Sequence, residues 1–188
     1  MYELLKEQYE FSDYQIAQLE YLGKTFLSEF SKLLIMGIFF RKQLSVYLFA
    51  IVVMVLLRTA TGGIHCRKYV SCFLVTFSYL FLALTVLPAI PVNKVFQLIL
   101  LFLCMLCNYY IGPVTSKVHA ALKNQLVKRV KIQAFLVIFF YLTLAYIIPE
   151  NPYISAGFWI IILHTLQLAA ARIIKKGAPY ERETCEIY

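Results

Sequence analysis

The chain has 188 residues, of which 61% are hydrophobic and only 15% are charged, with a mean hydropathy of +0.73. A soluble domain of this size cannot cover so much apolar surface with so few charges, so the composition excludes one. The net charge of +8 at pH 7 fits basic membrane-flanking loops and attraction to anionic lipid better than nucleic-acid binding.

The apolar residues form continuous runs of near bilayer-crossing length, which favours membrane helices over the alternating strands of a membrane β-barrel. We therefore predict an all-α, polytopic membrane bundle that forms a single domain over residues 1–188. The acidic start of the chain is unlike a cleavable signal peptide, which begins with basic residues. The odd number of cysteines, five, does not suggest a disulfide framework.

Residues 1–31 are predicted to form an amphipathic segment on the membrane surface. Membrane segments then occupy residues 32–171, and a polar tail follows over 172–188. The second segment is short enough to be tilted, re-entrant or paired with the first as a hairpin. There are six apolar segments. The first begins near Tyr21 or Ser31 and ends at Phe40, and the other five are Leu44–Leu57, Tyr69–Ile90, Val95–Ile111, Ala134–Ile148 and Tyr153–Ala171.

Basic residues are distributed unevenly between the connections. If the segments alternate in direction, twelve Lys and Arg side chains lie on one side and three, Arg41, Lys42 and Lys94, lie on the other. Because cytoplasmic loops carry the excess of Lys and Arg, we predict a plasma-membrane protein with the basic loops and both termini in the cytoplasm. A single crossing by the first two segments would reverse this orientation.

The loop at residues 58–72 holds the residues best suited to chemistry. A cysteine nucleophile needs a base or a positive field, and His65 could act as that base for Cys72. Seven residues on one straight helix would separate the two by about 10.5 Å, whereas a hydrogen bond needs about 2.6–3.2 Å. The dyad therefore requires His65 to lie off the helix that carries Cys72, and Gly62 and Gly63 permit such a fold.

No Asp or Glu occurs between Glu29 and Glu150. The membrane segments therefore lack the carboxylates of magnesium or calcium sites, and they lack the intramembrane acid usual in proton-coupled transporters. We predict no metal and no cofactor. A third catalytic group would have to be an amide, a hydroxyl, a backbone carbonyl or a carboxylate from the N-terminal segment.

Two other candidates lie within the apolar runs. Cys104 and Cys107 share a helical face, where packing is commoner than a redox or zinc pair. His164 is a candidate because intramembrane ionisable residues are often functional, but its neighbours Thr165 and Gln167 offer no obvious relay.

The spacing of Arg58, Gly62, Gly63, His65 and Cys72 resembles the signature of the accessory gene regulator B (AgrB) family, and the likeness extends over nearly the whole chain. The resemblance implies a membrane cysteine endopeptidase of quorum sensing, without a cofactor. Cys72 would attack a carbonyl of an autoinducing-peptide precursor with His65 as base. The acidic C-terminal part of the precursor would leave, and the Cys72 thioester would be captured to give a thiolactone or lactone.

Supporting roles follow for several residues. Gly62 and Gly63 would shape the loop or an oxyanion site, and Arg58 would orient the loop or bind a substrate carboxylate. The basic loop at 112–133 would hold an acidic peptide, or would simply be a solvated cytoplasmic loop. Its candidate substrate-binding residues are Lys117, Lys123, Lys128, Arg129 and Lys131.

The expected partners are a precursor signal peptide with an acidic C-terminal region, membrane lipid and a second copy of the chain in a homodimer, but no nucleic acid. The principal alternative is a non-catalytic membrane scaffold for peptide export or docking, which would use the same basic loops as an electrostatic dock. A lipid-directed cysteine acyltransferase is a third alternative.

Overall fold

The computed structural model describes residues 13–62, 64–65, 69–113, 124–177 and 186–187. The chain divides into two compact units, residues 1–42 and residues 43–188. The prediction of a single membrane domain stays a prediction.

In the first unit, one helix, α1, runs without interruption over Asp13–Phe39, and a 3-10 turn begins at Arg41. The sequence suggested a boundary near residue 31 between a surface segment and a first apolar segment, and the structure has no break there. Lys32 Nζ lies 2.6 Å from Glu29 Oε1 one turn earlier. This ion pair adds modest support to the helix within the charged stretch at which a boundary was predicted.

The second unit is built from helices with two very short strands. Helix α3 continues into a π-helical turn at Leu82–Val86 and a 3-10 turn at Leu87–Ala89. The elements are α2 (Leu44–Thr61), β1 (Ile64–His65), α3 (Tyr69–Phe81), α4 (Lys94–Ile111), α5 (Asn124–Ile147), α6 (Pro152–Gly177) and β2 (Glu186–Ile187).

Five helical segments among the described residues are long and apolar enough to cross a membrane: Arg41–Thr61, Tyr69–Ala89, Lys94–Ile111, Val127–Ile147 and Pro152–Ile173. The predicted fold class, an all-α polytopic membrane bundle, is thereby confirmed, and the predicted count of about six segments is close. The second predicted segment is longer than expected, because α2 continues from Leu57 to Thr61.

Local residues explain where several helices begin and end. Asn93 Oδ1 accepts a hydrogen bond from the Val95 N–H at the start of α4, and Asn151 caps α6 in the same way. Gly62 and Gly112 follow α2 and α4 with φ angles of 78° and 67°. Glycine adopts these left-handed conformations without the steric cost that a Cβ would add.

Helix α6 is the central element of the second unit. It packs against α2, α4 and the π-helical turn. Its apolar membrane-spanning stretch is 56% buried inside the protein, against at most 39% for any other described span. Phe158, Ile160 and Leu168 on α6 are almost completely buried. The outer helices expose apolar side chains, as a surface that contacts lipid requires.

Two sets of contacts between helices mark the two ends of this bundle. At one end, the Tyr153 hydroxyl donates to Ser45 Oγ over 3.0 Å. At the other end, Thr61 at the end of α2 contacts His164 on α6. We call this second end the loop end, because Thr61 directly precedes the segment that carries His65. The strands β1 and β2 pair in antiparallel orientation, with His65 opposite Glu186.

Candidate functional site

Cys72 lies in the first turn of α3, which begins at Tyr69. Its side chain is 6% exposed, and it is a reduced cysteine. The N–H groups of the first helical turn have no partner within the helix, and the helix dipole makes this end positive. A thiolate in this position is therefore stabilised relative to one in the middle of a helix.

His65 lies in β1, outside the helix that carries Cys72. The backbone thus has the arrangement that a His65–Cys72 dyad requires, in which the two residues do not share one straight helix. The His65 side chain lies outside the described part of the structure, so the dyad itself stays a prediction.

Gly62 is the residue at which α2 ends. Its backbone has φ 78° and ψ −162°, a combination that is essentially restricted to glycine. Its N–H donates to the Arg58 carbonyl oxygen over 2.9 Å, so this N–H closes the helix and is not available to an oxyanion. Of the two predicted roles for Gly62, the geometry supports shaping the loop. Gly63 lies outside the described residues.

Arg58 lies in the last turn of α2, and its guanidinium is directed into the protein. The Cζ atom is 5.7 Å from the centroid of the Tyr79 ring on α3, within the range of a cation–π contact. The Nε and Nη2 atoms are buried and have no hydrogen-bond partner among the described residues. An arginine at a helix end in a membrane often extends its charged group into water, whereas these two nitrogen atoms of Arg58 are buried.

His164 has a partner that the sequence analysis did not find. Its Nε2 atom lies 2.7 Å from Thr61 Oγ1, and the residue is 1% exposed. The Thr61 hydroxyl also lies 2.9 Å from the Leu57 carbonyl oxygen. If that hydroxyl donates to Leu57, the imidazole must donate to Thr61, and if it donates to the ring, Nε2 is the acceptor. Either way, α2 and α6 are tied together at the residue before Gly62.

A second polar contact lies beside the first. The Asn108 amide nitrogen on α4 donates to Thr165 Oγ1 over 2.7 Å and to the Cys104 carbonyl oxygen over 2.8 Å. Thr165 donates in turn to the Ile161 carbonyl oxygen. The loop end is therefore held by two hydrogen bonds in which α6 takes part, one with α2 and one with α4. The sequence signal for this cluster was the presence of polar residues near the same end of three apolar segments.

The predicted substrate-binding lysines and arginine do not all have the same surroundings. Lys117 and Lys123 lie outside the described residues. Lys128 and Arg129 are exposed on α5. Lys131 is half-buried, with its Nζ 5.8 Å from the centroid of the Tyr109 ring. Only Lys128 and Arg129, among the described members, present a free charged surface.

Two concave regions differ in their distance from this site. One cavity of about 290 Å³ includes Pro88 and Glu150 in its lining and lies at the end of the bundle opposite to Thr61. An open groove of about 400 Å³ lies between α3 and α6. Its lining residues are Leu74, Val75, Ser78, Tyr79, Leu82, Leu163 and Gln167. Leu74 follows Cys72 by two residues on α3, so this groove begins nearer to the candidate site than the cavity does, although Cys72 itself does not line it.

No group of three or more His, Cys, Asp or Glu side chains that could hold a metal ion comes together in the described ranges.

Comparison with known proteins gives two matches. The sequence model of the family "Accessory gene regulator B" (AgrB) matches residues 1–168. A "Putative AgrB-like protein" from Clostridium beijerinckii is 24% identical over 137 residues, which cover 71% of this chain and 67% of that protein. No solved structure matches the chain.

Proposed function

Because the chain belongs to the accessory gene regulator B family, we propose that it is a membrane cysteine endopeptidase that matures an autoinducing peptide. Family membership supports the broader role, autoinducer processing in an accessory gene regulator system. The cysteine peptidase activity and the cyclisation step are the finer parts of the proposal. They rest mainly on one observation, a buried thiol in the first helical turn at the loop end of a membrane bundle.

The proposed reaction begins at Cys72. His65 takes the thiol proton, and the thiolate attacks a carbonyl carbon of the precursor peptide. The peptide C–N bond breaks, the imidazolium returns the proton to the departing amine, and the C-terminal part of the precursor leaves. A nucleophilic side chain within the remaining peptide then attacks the thioester. This step releases the Cys72 thiol and closes a thiolactone or a lactone ring.

The burial of Cys72 supports cyclisation over simple hydrolysis. A thioester survives long enough for an intramolecular attack only if water is kept from it. With 6% of the residue exposed, solvent has little access to the sulfur, whereas a nucleophile within the bound peptide already lies close to it. The same enclosure favours a peptide held at the membrane surface over one in free solution.

The proposal includes a cellular location and partners. The loop end, with the basic connections after α2 and α4, would face the cytoplasm of a plasma-membrane protein, as the distribution of Lys and Arg indicates. The precursor peptide with an acidic C-terminal region would approach from that side, and the exposed Lys128 and Arg129 would attract it. Membrane lipid surrounds the protein, and a second copy completes the proposed homodimer.

The test is the intact mass of the purified protein after incubation with a candidate precursor. We expect a peptide-sized adduct that hydroxylamine removes, and we expect Cys72→Ala to abolish it. His65→Ala should slow its formation strongly. Cys104→Ala is the matched control, because Cys104 is also a buried reduced cysteine, at 8% exposure, and it should keep the adduct.

The opposite outcome would be as informative. If acidic-tailed precursors give neither an adduct nor a cleaved product, and Cys72→Ala retains the cellular role of the protein, the peptidase proposal is wrong. The exposed basic residues would then be interpreted as the dock of a non-catalytic export scaffold. A lipid-sized adduct on Cys72 would instead indicate an acyltransferase.

A further inference from the structure

The cavity at the end of the bundle opposite to Thr61 contains a buried amide that no described residue satisfies. Gln97, in the first turn of α4, lines this cavity and is only 2% exposed. Its side chain makes no hydrogen bond to the rest of the described chain. Buried polar groups in a membrane bundle normally find partners, so the group that satisfies this amide has to lie in the cavity.

The wall of the cavity is rich in hydrogen-bond acceptors and poor in donors. Pro88 and Pro91 line it and have no backbone N–H to offer. Asn151 lines it as well, but its amide nitrogen donates to the Pro149 carbonyl oxygen and its amide oxygen caps α6. An ionised Glu150 carboxylate, also in the lining, can only accept. An occupant of this cavity therefore has to donate hydrogen bonds.

One anion lines the cavity and one cation lies beside it. Glu150 is the only acidic residue between Glu29 and Glu181, and it is exposed. Lys94 Nζ lies 3.4 Å from the carbonyl oxygen of Ile148, two residues before Glu150. Neither charge forms an ion pair with another described residue. The pair therefore suits an occupant that carries a positive group next to a negative one.

The cavity lies at the depth of the lipid headgroups. Two membrane-crossing segments meet beside it, since Tyr69–Ala89 ends there and Lys94–Ile111 begins there. Trp159 lines the cavity, and tryptophan is enriched at the interface between membrane and water. Ile90 in the lining and Phe96 on α4 are exposed apolar side chains, which give acyl chains a surface to contact.

We propose that this cavity binds the phosphoethanolamine headgroup of a membrane lipid. The primary ammonium donates to the Glu150 carboxylate and to the Gln97 amide oxygen, and the phosphate lies on the side of Lys94. The cavity volume of about 290 Å³ is near the lower end of the range for small-molecule sites, about 300–1,000 Å³. The bound lipid connects α4 to the turn before α6. This inference does not depend on the peptidase function.

The test uses Trp159 as the reporter, because it is the only tryptophan of the chain and it lines the cavity. The purified full-length protein in an uncharged detergent is titrated with dihexanoyl phosphatidylethanolamine or dihexanoyl phosphatidylcholine, and tryptophan emission is recorded. The ethanolamine lipid should give a saturable change with at least about tenfold tighter binding. The choline headgroup has no N–H to donate, so it leaves the acceptors of the cavity unpaired.

Equal affinities of the two lipids, or tighter binding of the choline lipid, would overturn the proposal. This comparison uses the unaltered protein, so it does not depend on whether a variant folds.

Two substitutions locate the binding site. Glu150→Gln and Gln97→Leu should each weaken binding of the ethanolamine lipid about tenfold, because each removes an acceptor for the ammonium. The matched controls are Glu29→Gln, which removes an acid from α1, and Gln133→Leu, which removes an exposed amide from α5. Both controls should keep the preference for the ethanolamine lipid. An unchanged preference in Glu150→Gln would overturn the proposed site.

Free O-phosphoethanolamine, which has the same headgroup without acyl chains, distinguishes a lipid from a soluble ligand. We expect it to bind at least about tenfold more weakly than the lipid, because the acyl chains add apolar contact. Binding as tight as that of the lipid would overturn the assignment to a membrane lipid.

Discussion

The hydrogen bond between Thr61 and His164 offers the clearest test of how the loop end is held. Replacing Thr61 with Val keeps the branched shape of the side chain and removes the hydroxyl. His164 Nε2 then loses a partner at 2.7 Å, and its other ring nitrogen already has none among the described residues. The variant leaves a fully buried imidazole without any identified hydrogen bond.

The expected cost follows from these contacts. Hydrogen bonds between membrane helices contribute about 0.6 kcal/mol on average and up to about 1.7 kcal/mol, and a buried polar group left without a partner costs about 1–3 kcal/mol. We expect Thr61→Val to lower the free energy of unfolding by about 1–2 kcal/mol. Thr143→Val is the matched control. Its hydroxyl donates only to the Phe139 carbonyl oxygen of its own helix, on an exposed part of α5, so a change within about 0.5 kcal/mol is expected.

The assay is equilibrium unfolding of the purified protein in mixed micelles, for Thr61→Val, His164→Leu and the double variant. The double-mutant cycle isolates the interaction between the two side chains, and we expect a coupling energy of about 1 kcal/mol. Additive effects of the two substitutions, or a loss no larger than that of Thr143→Val, would refute the conclusion that this bond holds α2 against α6.

Three further substitutions test other parts of the packing. A Cβ at Gly157 would lie 2.5 Å from the Tyr141 ring, so Gly157→Ala should lower the free energy of unfolding by about 1–3 kcal/mol. Gly23→Ala is the control, because no atom lies within 4 Å of its added Cβ, and it should be neutral or stabilising. Equal effects of the two substitutions would contradict this packing. Gly62→Ala should cost about 1–3 kcal/mol because of its φ of 78°, and it should slow adduct formation on Cys72. Tyr79→Phe removes a hydroxyl that donates to the Ile160 carbonyl oxygen of α6 over 2.7 Å. It should lower the free energy of unfolding by about 0.5–1.5 kcal/mol. An unchanged free energy would show that this hydrogen bond does not stabilise the fold.

Much of the architecture could be predicted from the sequence because it depends on local composition. Continuous apolar runs without charges are stable only in a bilayer, so the helical membrane class and the approximate positions of the last five segments followed directly. The start of α3 beside Cys72 was also predictable, since a polar, glycine-bearing stretch directly precedes an apolar run. The continuity of α1 through residue 31 did not follow from the sequence, because the pairing of Lys32 with Glu29 was not predicted.

The polar contacts between helices were decided only by the tertiary structure. His164 pairs with a residue 103 positions away and Asn108 with one 57 positions away. The sequence showed polar residues within these apolar segments, but it did not show which of them are partners. In a bilayer, both the lipid-facing and the core-facing sides of a helix are apolar, so the pattern does not reveal which face packs against a neighbour. The rotation and register of α2, α4 and α6 therefore determine that His164 meets Thr61 and that two nitrogen atoms of the Arg58 guanidinium are buried near Tyr79.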